Sequence, residues 1–323
     1  MGKQFTFCLL LLAILLSTFG ACNRSDEKII AVIPKGQAHI FWQSVHAGAV
    51  AAGREFGVKI LWNGPPTEVD YSKQISIVED FINRHVDGIV LAPTERNALV
   101  AVIERAQREG IPVTIFDSGA NTDKYVSYVA TNNYDGGVQA ARQMAKILGG
   151  QGNVAIIGVI PGSASTTERE QGFKDTIARE FPQIKIVAFQ YGMSDRAKSL
   201  QVTEDILTAH PDLNGIFGPN ESSAVGAAQA VKGRGLAGKV KIVGFDSSPS
   251  LLDDLRDVVI DALVVQNPFE MGYQGVKTIV QHLRGETPPK RIDSGITVVT
   301  RDNLNDPNVQ KLVNPDLKRY LEE

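Results

Sequence analysis

The chain has 323 residues, of which 43% are hydrophobic and 21% charged, and its formal net charge is −3. That balance leaves no basic footprint for nucleic acid, and no helix-turn-helix-like module precedes the first predicted strand. A chain of this size buries a sizeable core and tends to divide into two domains.

The first 21 residues read as a secretory signal. Lys3 gives a weakly positive start, Phe5 to Leu16 is uncharged and apolar, and Ser17-Thr-Phe-Gly-Ala21 brings small residues before Cys22. The apolar run is too short for a membrane span of roughly 20 residues. Phe19-Gly-Ala-Cys22 resembles a bacterial lipoprotein box, although Phe19 replaces the usual leucine. The resemblance implies lipidation of Cys22, with residues 22–28 as a polar tether and the exported domain held in the periplasm or on the outer face of the cytoplasmic membrane. The other cysteine, Cys8, lies in the segment to be removed. A mature chain of this kind has no disulfide and no thiol for a nucleophile or a metal.

Short apolar runs then alternate with segments of helical period, the pattern of βαβ units around a parallel sheet. The predicted strands of the first half are Ile29–Pro34, Val58–Trp62, Gly88–Ala92, Val113–Asp117 and Tyr128–Val129. Those of the second are Asn153–Gly158, Lys185–Gln190, Gly215–Gly218, Lys241–Asp246 and Asp261–Gln266, with Ile296–Thr300 near the end. Predicted helices cover Ile40–Phe56, Tyr71–Arg84, Ala98–Glu109, Tyr134–Leu148, Thr166–Glu180, Arg196–His210, Ser222–Lys232, Pro249–Asp257 and Phe269–Leu283. Asp70 and Ser165 are expected as N-caps, Gly110 and Gly149 as left-handed C-terminal turns, and Pro268 in a first helical turn.

Two phrases repeat. Val113-Thr-Ile-Phe-Asp117-Ser118 is matched by Ile242-Val-Gly-Phe-Asp246-Ser247, and each follows a similar unit, Asp87-Gly-Ile-Val-Leu-Ala-Pro-Thr-Glu95 or Asn214-Gly-Ile-Phe-Gly-Pro-Asn-Glu221. The spacing suits an internal structural repeat. The expected architecture is α/β: two similar doubly wound parallel-sheet lobes joined by a hinge of several crossings. Residues 29–132 plus 267–294 are expected to form the first lobe, and 133–266 plus 295–323 the second. Several crossings make a hinge because each absorbs a small change in φ and ψ while the lobes stay rigid.

In open α/β sheets ligands bind beyond the carboxyl ends of the strands. The residues expected there are His39, Phe41, Trp42, Asp117, Ser118, Asn133, Arg169, Ser194, Asn220, Asp246 and Gln266. Planar polar groups of this kind bind vicinal hydroxyls through fixed donor and acceptor pairs, and aromatic faces cover the C–H side of a sugar ring. Arg169 and hydroxyl donors are expected to keep both aspartates ionised. Bland readings compete: a turn cap for either aspartate, a core position for Phe41 or Trp42, a turn for Asn133 or Asn220, and a surface ion pair for Arg169.

The chain resembles the periplasmic sugar-binding proteins of ABC importers, the ribose/galactose-binding class of the type I periplasmic-binding-protein fold, related to the ligand cores of lactose-repressor-like regulators. The resemblance rests on His39-Ile-Phe41-Trp42, Ile111-Pro-Val-Thr-Ile-Phe-Asp117, Thr131-Asn-Asn133-Tyr-Asp-Gly-Gly137 and Glu168-Arg169-Glu-Gln-Gly172-Phe173. It continues through Thr208-Ala-His-Pro-Asp212, Phe217-Gly-Pro-Asn220-Glu221, Val243-Gly-Phe-Asp246 and Val265-Gln266. By that resemblance Phe41 and Trp42 sandwich or wall a sugar ring, while Asp117, Arg169, Asn220, Asp246 and Gln266 bond its hydroxyls. His39 stands where ribose binders carry an asparagine, Ser118 where they carry an arginine, and Ser194 where a second aromatic wall is often found. The ligand expected is a monosaccharide (a pentose, with these departures counting against ribose, a hexose or a related polyol) or another hydroxylated solute, captured by a monomer that delivers it to an ABC permease. A sensor that presents the same solute to a chemoreceptor or histidine kinase is the alternative.

An enzyme is not expected. Pro34-Lys-Gly-Gln-Ala-His lacks the glycine pattern of a dinucleotide site, and neither a Walker A loop nor a His-Glu-x-x-His zinc motif occurs. The histidines at 39, 46, 85, 210 and 282 lack metal spacing. No cofactor or metal is expected, and the membrane is touched only through the lipid anchor.

Overall fold

The computed structural model describes residues 27–37 and 39–322. The expected signal segment, the lipid-box cysteine Cys22 and all of the tether before residue 27 lie outside the described residues.

The described strands form two six-stranded sheets of the same topology. In the first, β1 (Ile29–Ile33) is flanked by β2 (Lys59–Trp62) and β3 (Gly88–Leu91), followed outward by β4 (Val113–Phe116), β5 (Tyr128–Ala130) and β11 (Arg291–Asp293). In the second, β6 (Gly152–Gly158) is flanked by β7 (Ile184–Tyr191) and β8 (Gly215–Gly218), followed by β9 (Lys241–Phe245), β10 (Ala262–Gln266) and β12 (Ile296–Val299). Strand for strand the two orders superpose, which is the repeat heard in the paired aspartate phrases. Every ladder is parallel except β10 with β12. The middle strands β3, β4, β8 and β10 are buried along their whole length, so their Val- and Ile-rich runs have no polar face.

Helices cover both faces of each sheet. Against the first sheet, α1 (Ile40–Phe56) and α9 (Pro268–Leu283) contribute Trp42, Val45, Met271 and Ile279 to one core. On its other face α2 (Tyr71–Asn83) and α3 (Val100–Arg108) contribute Ile77, Phe81 and Ile103. Against the second sheet, α4 (Asn133–Leu148) and α5 (Ala164–Glu180) bring Met144 and Phe173. The opposite face receives Val202 from α6 (Arg196–Ala209), Val225 from α7 (Glu221–Gly233), Leu251 from α8 (Pro249–Arg256) and Val309 from α10 (Pro307–Val313).

The chain passes between the sheets three times, at β5 to α4, β10 to α9 and β11 to β12. A fourth passage was not foreseen. The last short helix, α11 (Lys318–Leu321), leaves the second sheet and lies on α1, where the Arg54 guanidinium donates to the carbonyls of Arg319 at 3.1 Å and Tyr320 at 3.4 Å. Tyr320 also packs on Phe269 with ring centroids 5.4 Å apart. The expectation that 295–323 belongs wholly to the second lobe therefore fails for the final helix.

Local signals place most ends. The Asp70 carboxylate accepts from the Lys73 amide at 2.9 Å, Gly149 closes α4 with φ 66°, and Pro268 opens α9. Ser165 is not a cap: α5 begins at Ala164 with Ser163 in the cap position, which leaves the Ser165 hydroxyl free for other work.

Two helix crossings are so close that only glycine fits them. A Cβ on Gly137 would lie 2.0 Å from the Arg169 carbonyl oxygen, and one on Gly48 would lie 1.9 Å from that of Phe269. The first crossing, α4 on α5, thereby sets the height of Arg169. Backbone cannot swing aside as a side-chain tip can, so Gly137→Ala is expected to destabilise the fold by about 3 kcal/mol. Gly233→Ala, whose Cβ would meet nothing within 4 Å, is expected to be neutral or slightly stabilising. Urea unfolding of the two variants checks the contrast.

Candidate functional site

The carboxyl ends of both sheets converge on one crevice with an empty volume of about 350 Å³. It is lined by His39, Phe41, Trp42, Asp117, Arg169, Asn220, Asp246 and Gln266, all expected from the sequence, and by Lys35, Glu68, Ser165, Thr166 and Glu221, which were not. The first half supplies Lys35 to Asp117, and the second supplies the rest.

The repeated phrases end in the same geometry. Asp117 and Asp246 both take left-handed backbone, with φ of 56° and 69°. Each amide still closes the sheet, Asp117 to the Val129 carbonyl at 3.0 Å and Asp246 to that of Val264 at 2.9 Å. The left-handed turn then stops the strand and leaves the carboxyl group at its tip. Such backbone is uncommon for a residue other than glycine and tends to cluster at functional sites.

The two carboxyl groups are held differently. Lys35, only 3% exposed, places Nζ 2.8 Å from Asp117 Oδ2 and donates to Ser165 Oγ at 2.9 Å and Ser163 Oγ at 3.3 Å. Its approach to Oδ2 is not along a hydrogen-bond direction, so that oxygen keeps an unused acceptor position. Beneath Lys35, buried Gln74 ties the ends of β1 and β3 together by donating to the carbonyls of Pro34 at 2.9 Å and Ala92 at 2.8 Å. Asp246 accepts from Gln266 Nε2 at 2.6 Å and from the amide of Glu221 at 3.1 Å, at the start of α7. Burial pushes the Asp246 pKa up despite Arg169 and Gln266, and the charges of Asp117 and Glu221 add to the rise. Desolvation therefore outweighs the opposing pull of Arg169 and Gln266 at Asp246.

Arg169 is buried, not a surface ion-pair partner. Its Nε donates to Asn133 Oδ1 at 2.8 Å, its Nη1 to the Pro219 carbonyl at 3.0 Å, and its guanidinium lies 4.0 Å from the centre of the Phe245 ring. Its Nη2 is buried without a partner. Phe41 and Trp42 meet edge to face with centroids 4.9 Å apart. No third ring fits between them, so they form a wall and not a sandwich. Both also belong to the core of the first half, so the core reading and the lining reading hold together.

Three expected residues stand behind the lining. Ser118 Oγ accepts from the Ser165 amide at 3.1 Å. Asn133 orients Arg169, as given above. Ser194 Oγ donates to Glu68 Oε2 at 2.9 Å and accepts from Asn220 Nδ2 at 3.0 Å. Asn220 does two jobs, because its Oδ1 also caps α7 through the Ser223 amide at 3.0 Å. Among the unforeseen residues, Lys35 directly follows Pro34 at the end of the first strand, where the rule for strand ends applies. Glu221 adjoins Asn220. Glu68 lies in an irregular loop that carries no pattern. Among the described residues no group of three or more His, Cys, Asp or Glu side chains is arranged to hold a metal ion, and no helix is long and apolar enough to cross a membrane.

Comparison with known proteins agrees with this architecture. Residues 30–287 match the periplasmic binding protein domain. The ribose import binding protein of Bacillus subtilis is 31% identical over 81% of this chain and 83% of its own length. A carbohydrate transporter solute binding protein from Agrobacterium radiobacter, solved in complex with D-arabinose, is 36% identical with a TM-score of 0.88, covering 90% of this chain and 99% of that one. An ABC transporter solute binding protein from Agrobacterium vitis with bound D-fucose is 38% identical with a TM-score of 0.86, covering 88% and 99%. Two sheets of repeated topology, an aspartate at the tip of an equivalent strand in each, and a match across most of the chain place this protein in the periplasmic binding protein family, among relatives that bind sugars for ABC importers.

Proposed function

We propose that this protein captures a monosaccharide outside the cytoplasm by closing its two halves around it, and that it hands the sugar to an ABC permease. One observation carries the reading. Asp117 Oδ2, Thr166 Oγ1, Arg169 Nη2 and Gln266 Oε1 are buried without a directed hydrogen-bond partner, and all four belong to residues lining the same crevice. A buried polar group left unpaired costs about 1–3 kcal/mol, so four around one cavity ask for a ligand rich in both donors and acceptors. Hydroxyl groups are both. The edge-to-face wall of Phe41 and Trp42 suits the apolar face of a ring.

In this reading His39, Phe41, Trp42, Asp117, Arg169, Asn220, Asp246 and Gln266 line the sugar site, joined by Lys35 and Thr166. Ser118, Asn133 and Ser194 position the lining. The lobes are residues 29–132 with 267–294, and 133–266 with 295 to about the end of α10, with α11 strapped onto the first. The site is read as a binding site and not a catalytic one, because the relatives the chain matches are binding proteins of sugar transport. The motif Phe19-Gly-Ala-Cys22 supports a lipid anchor at Cys22, and intact-mass measurement of membrane-extracted protein is the check: the expected result is a diacylated N-terminal cysteine.

A thermal-shift panel of D-arabinose, D-fucose, D-ribose, D-allose and D-tagatose tests the assignment. A sugar that binds only the folded form at 100 times its dissociation constant stabilises by about 2.7 kcal/mol, and at least one of the five is expected to raise the melting temperature by several degrees. No shift with any of them removes the monosaccharide reading. For the sugar that binds, Asp246→Ala is expected to cost about 2 kcal/mol of affinity by calorimetry, roughly thirtyfold. The variant's own melting curve separates lost affinity from lost fold. Trp42 is in the wall, so its fluorescence is expected to change on addition of that sugar. In the Trp62→Phe background, which leaves Trp42 as the remaining tryptophan, an unchanged spectrum removes Trp42 from the contact.

A further inference from the structure

At the mouth of the crevice His39 stands between the two halves. It precedes α1, and both of its ring nitrogens reach across: Nδ1 is 3.1 Å from Glu221 Oε2 and Nε2 is 3.2 Å from the Ser194 carbonyl oxygen. A carboxylate and a carbonyl only accept hydrogen bonds, and a neutral imidazole carries a single N–H. Both contacts are made at once only by the imidazolium. We propose that His39 is a positioning residue that latches the closed crevice in its protonated form, so that closure takes up a proton. The proposal rests on the reading of the crevice as one that opens and closes around a solute.

The surroundings are arranged for a cation. Glu68, from the loop before α2, puts Oε1 3.8 Å from His39 Nε2. That carboxylate is itself fixed by Trp42 Nε1 at 2.8 Å and by the Ser194 hydroxyl at 2.9 Å. Glu221, at the start of α7, is also paired with Arg196, at the start of α6. The charged groups facing the ring are thus two carboxylates and one guanidinium, and a protonated His39 brings the cluster to neutrality. Burial by itself would lower the pKa of His39. The Glu221 hydrogen bond and the charges of Glu68 and Glu221 outweigh it, with Arg196 opposing, and push the value up to about 9.

The sign follows from which contacts break. When the halves part, His39 keeps Glu68 but loses both Glu221 and the Ser194 carbonyl, and the ring returns toward the ordinary value of about 6.5. A group whose pKa is higher in the closed form favours closure in full below about pH 6.5 and ceases to do so as pH rises through about 9. Glu170 titrates near the same window, pushed up to about 7 by burial, but it accepts from the Val159 amide inside the second half and does not span the crevice.

The test is the pH profile of closure. Small-angle X-ray scattering of the sugar-free protein is expected to show a radius of gyration that grows between about pH 6.5 and pH 9. His39→Gln, which keeps a hydrogen-bonding side chain but has no proton to take up, is expected to flatten the profile. Contributions from Glu170 and the other groups that do not touch His39 survive in the variant and cancel from the comparison. Calorimetric titration with D-arabinose at pH 7.5, in two buffers of different ionisation heat, is expected to show uptake of a substantial fraction of a proton, up to about one, per sugar in the wild type and almost none in His39→Gln. Wild-type affinity is expected to fall about tenfold or more from pH 6.5 to pH 9. A wild-type radius of gyration that does not change with pH, or a profile shared by wild type and variant, overturns the latch. Absence of heat with D-arabinose counts against that sugar as ligand and leaves the scattering profile to decide the latch.

Discussion

The rest of the structure depends on two carboxyl groups buried at the tips of equivalent strands, Asp117 and Asp246, 3% and 6% exposed. Taking a carboxylate out of water costs several kcal/mol unless partners replace the solvent. Holding an L-residue in left-handed backbone adds roughly 1–2 kcal/mol. Both costs are met locally and unequally. Asp246 has an amide at a helix start and the Gln266 side chain; Asp117 has a lysine that is shared with two serines of the opposite half. The first arrangement is complete within one half. In the second, the ion pair lies within the first half, and the Ser163 and Ser165 hydroxyls of the opposite half complete the hydrogen bonds of Lys35. The meeting of the halves therefore satisfies the lysine that neutralises Asp117.

The same division of labour runs through the rest of the site. The Ser118 hydroxyl accepts from the Ser165 amide. The positive charge beside Asp117 comes from Lys35, at the end of β1. His39 has both nitrogens committed to the opposite half. What remains aimed into the crevice without a directed partner is one carboxylate oxygen, one hydroxyl, one guanidinium nitrogen and one amide oxygen. Groups that both donate and accept, as hydroxyls do, can satisfy every member of that set.

Much of this was legible in the sequence because the repeat is written in strong signals. Buried strands appear as unbroken Val and Ile runs, and Phe-Asp-Ser marks the tip of an equivalent strand in both sheets. Arg169 and Gln266 follow from their places in the motifs and at a strand end. Other features have no such signature. Glu68 sits in an irregular loop, and neither period nor cap points to it. β11 has three residues, α11 four and α10 seven, too few turns or pleats for a periodicity to show. Ser165 looks like a cap in the sequence because serine before a helix usually is one. The helix begins earlier, and the hydroxyl turns to Lys35 instead. Sequence reasoning finds the residues that end regular elements, while contacts between the two halves depend on how those elements are brought together.

That distinction bears on the hinge. Three passages of chain link the sheets beside the crevice, and the segment Asn314 to Leu317 makes a fourth by carrying α11 from the second half onto α1 of the first. α1 is the helix that begins immediately after His39 and presents Phe41 and Trp42. The Arg54 guanidinium holds α11 through the Arg319 and Tyr320 carbonyls, and Tyr320 packs on Phe269 of α9, so the end of the chain is fixed to the first half by both directional and apolar contacts. At the crevice the halves are joined by polar contacts instead, His39 with Glu221 and the Ser194 carbonyl and Lys35 with Ser163 and Ser165. Hydrogen bonds of this kind are lost when their partners separate, because each depends on distance and direction.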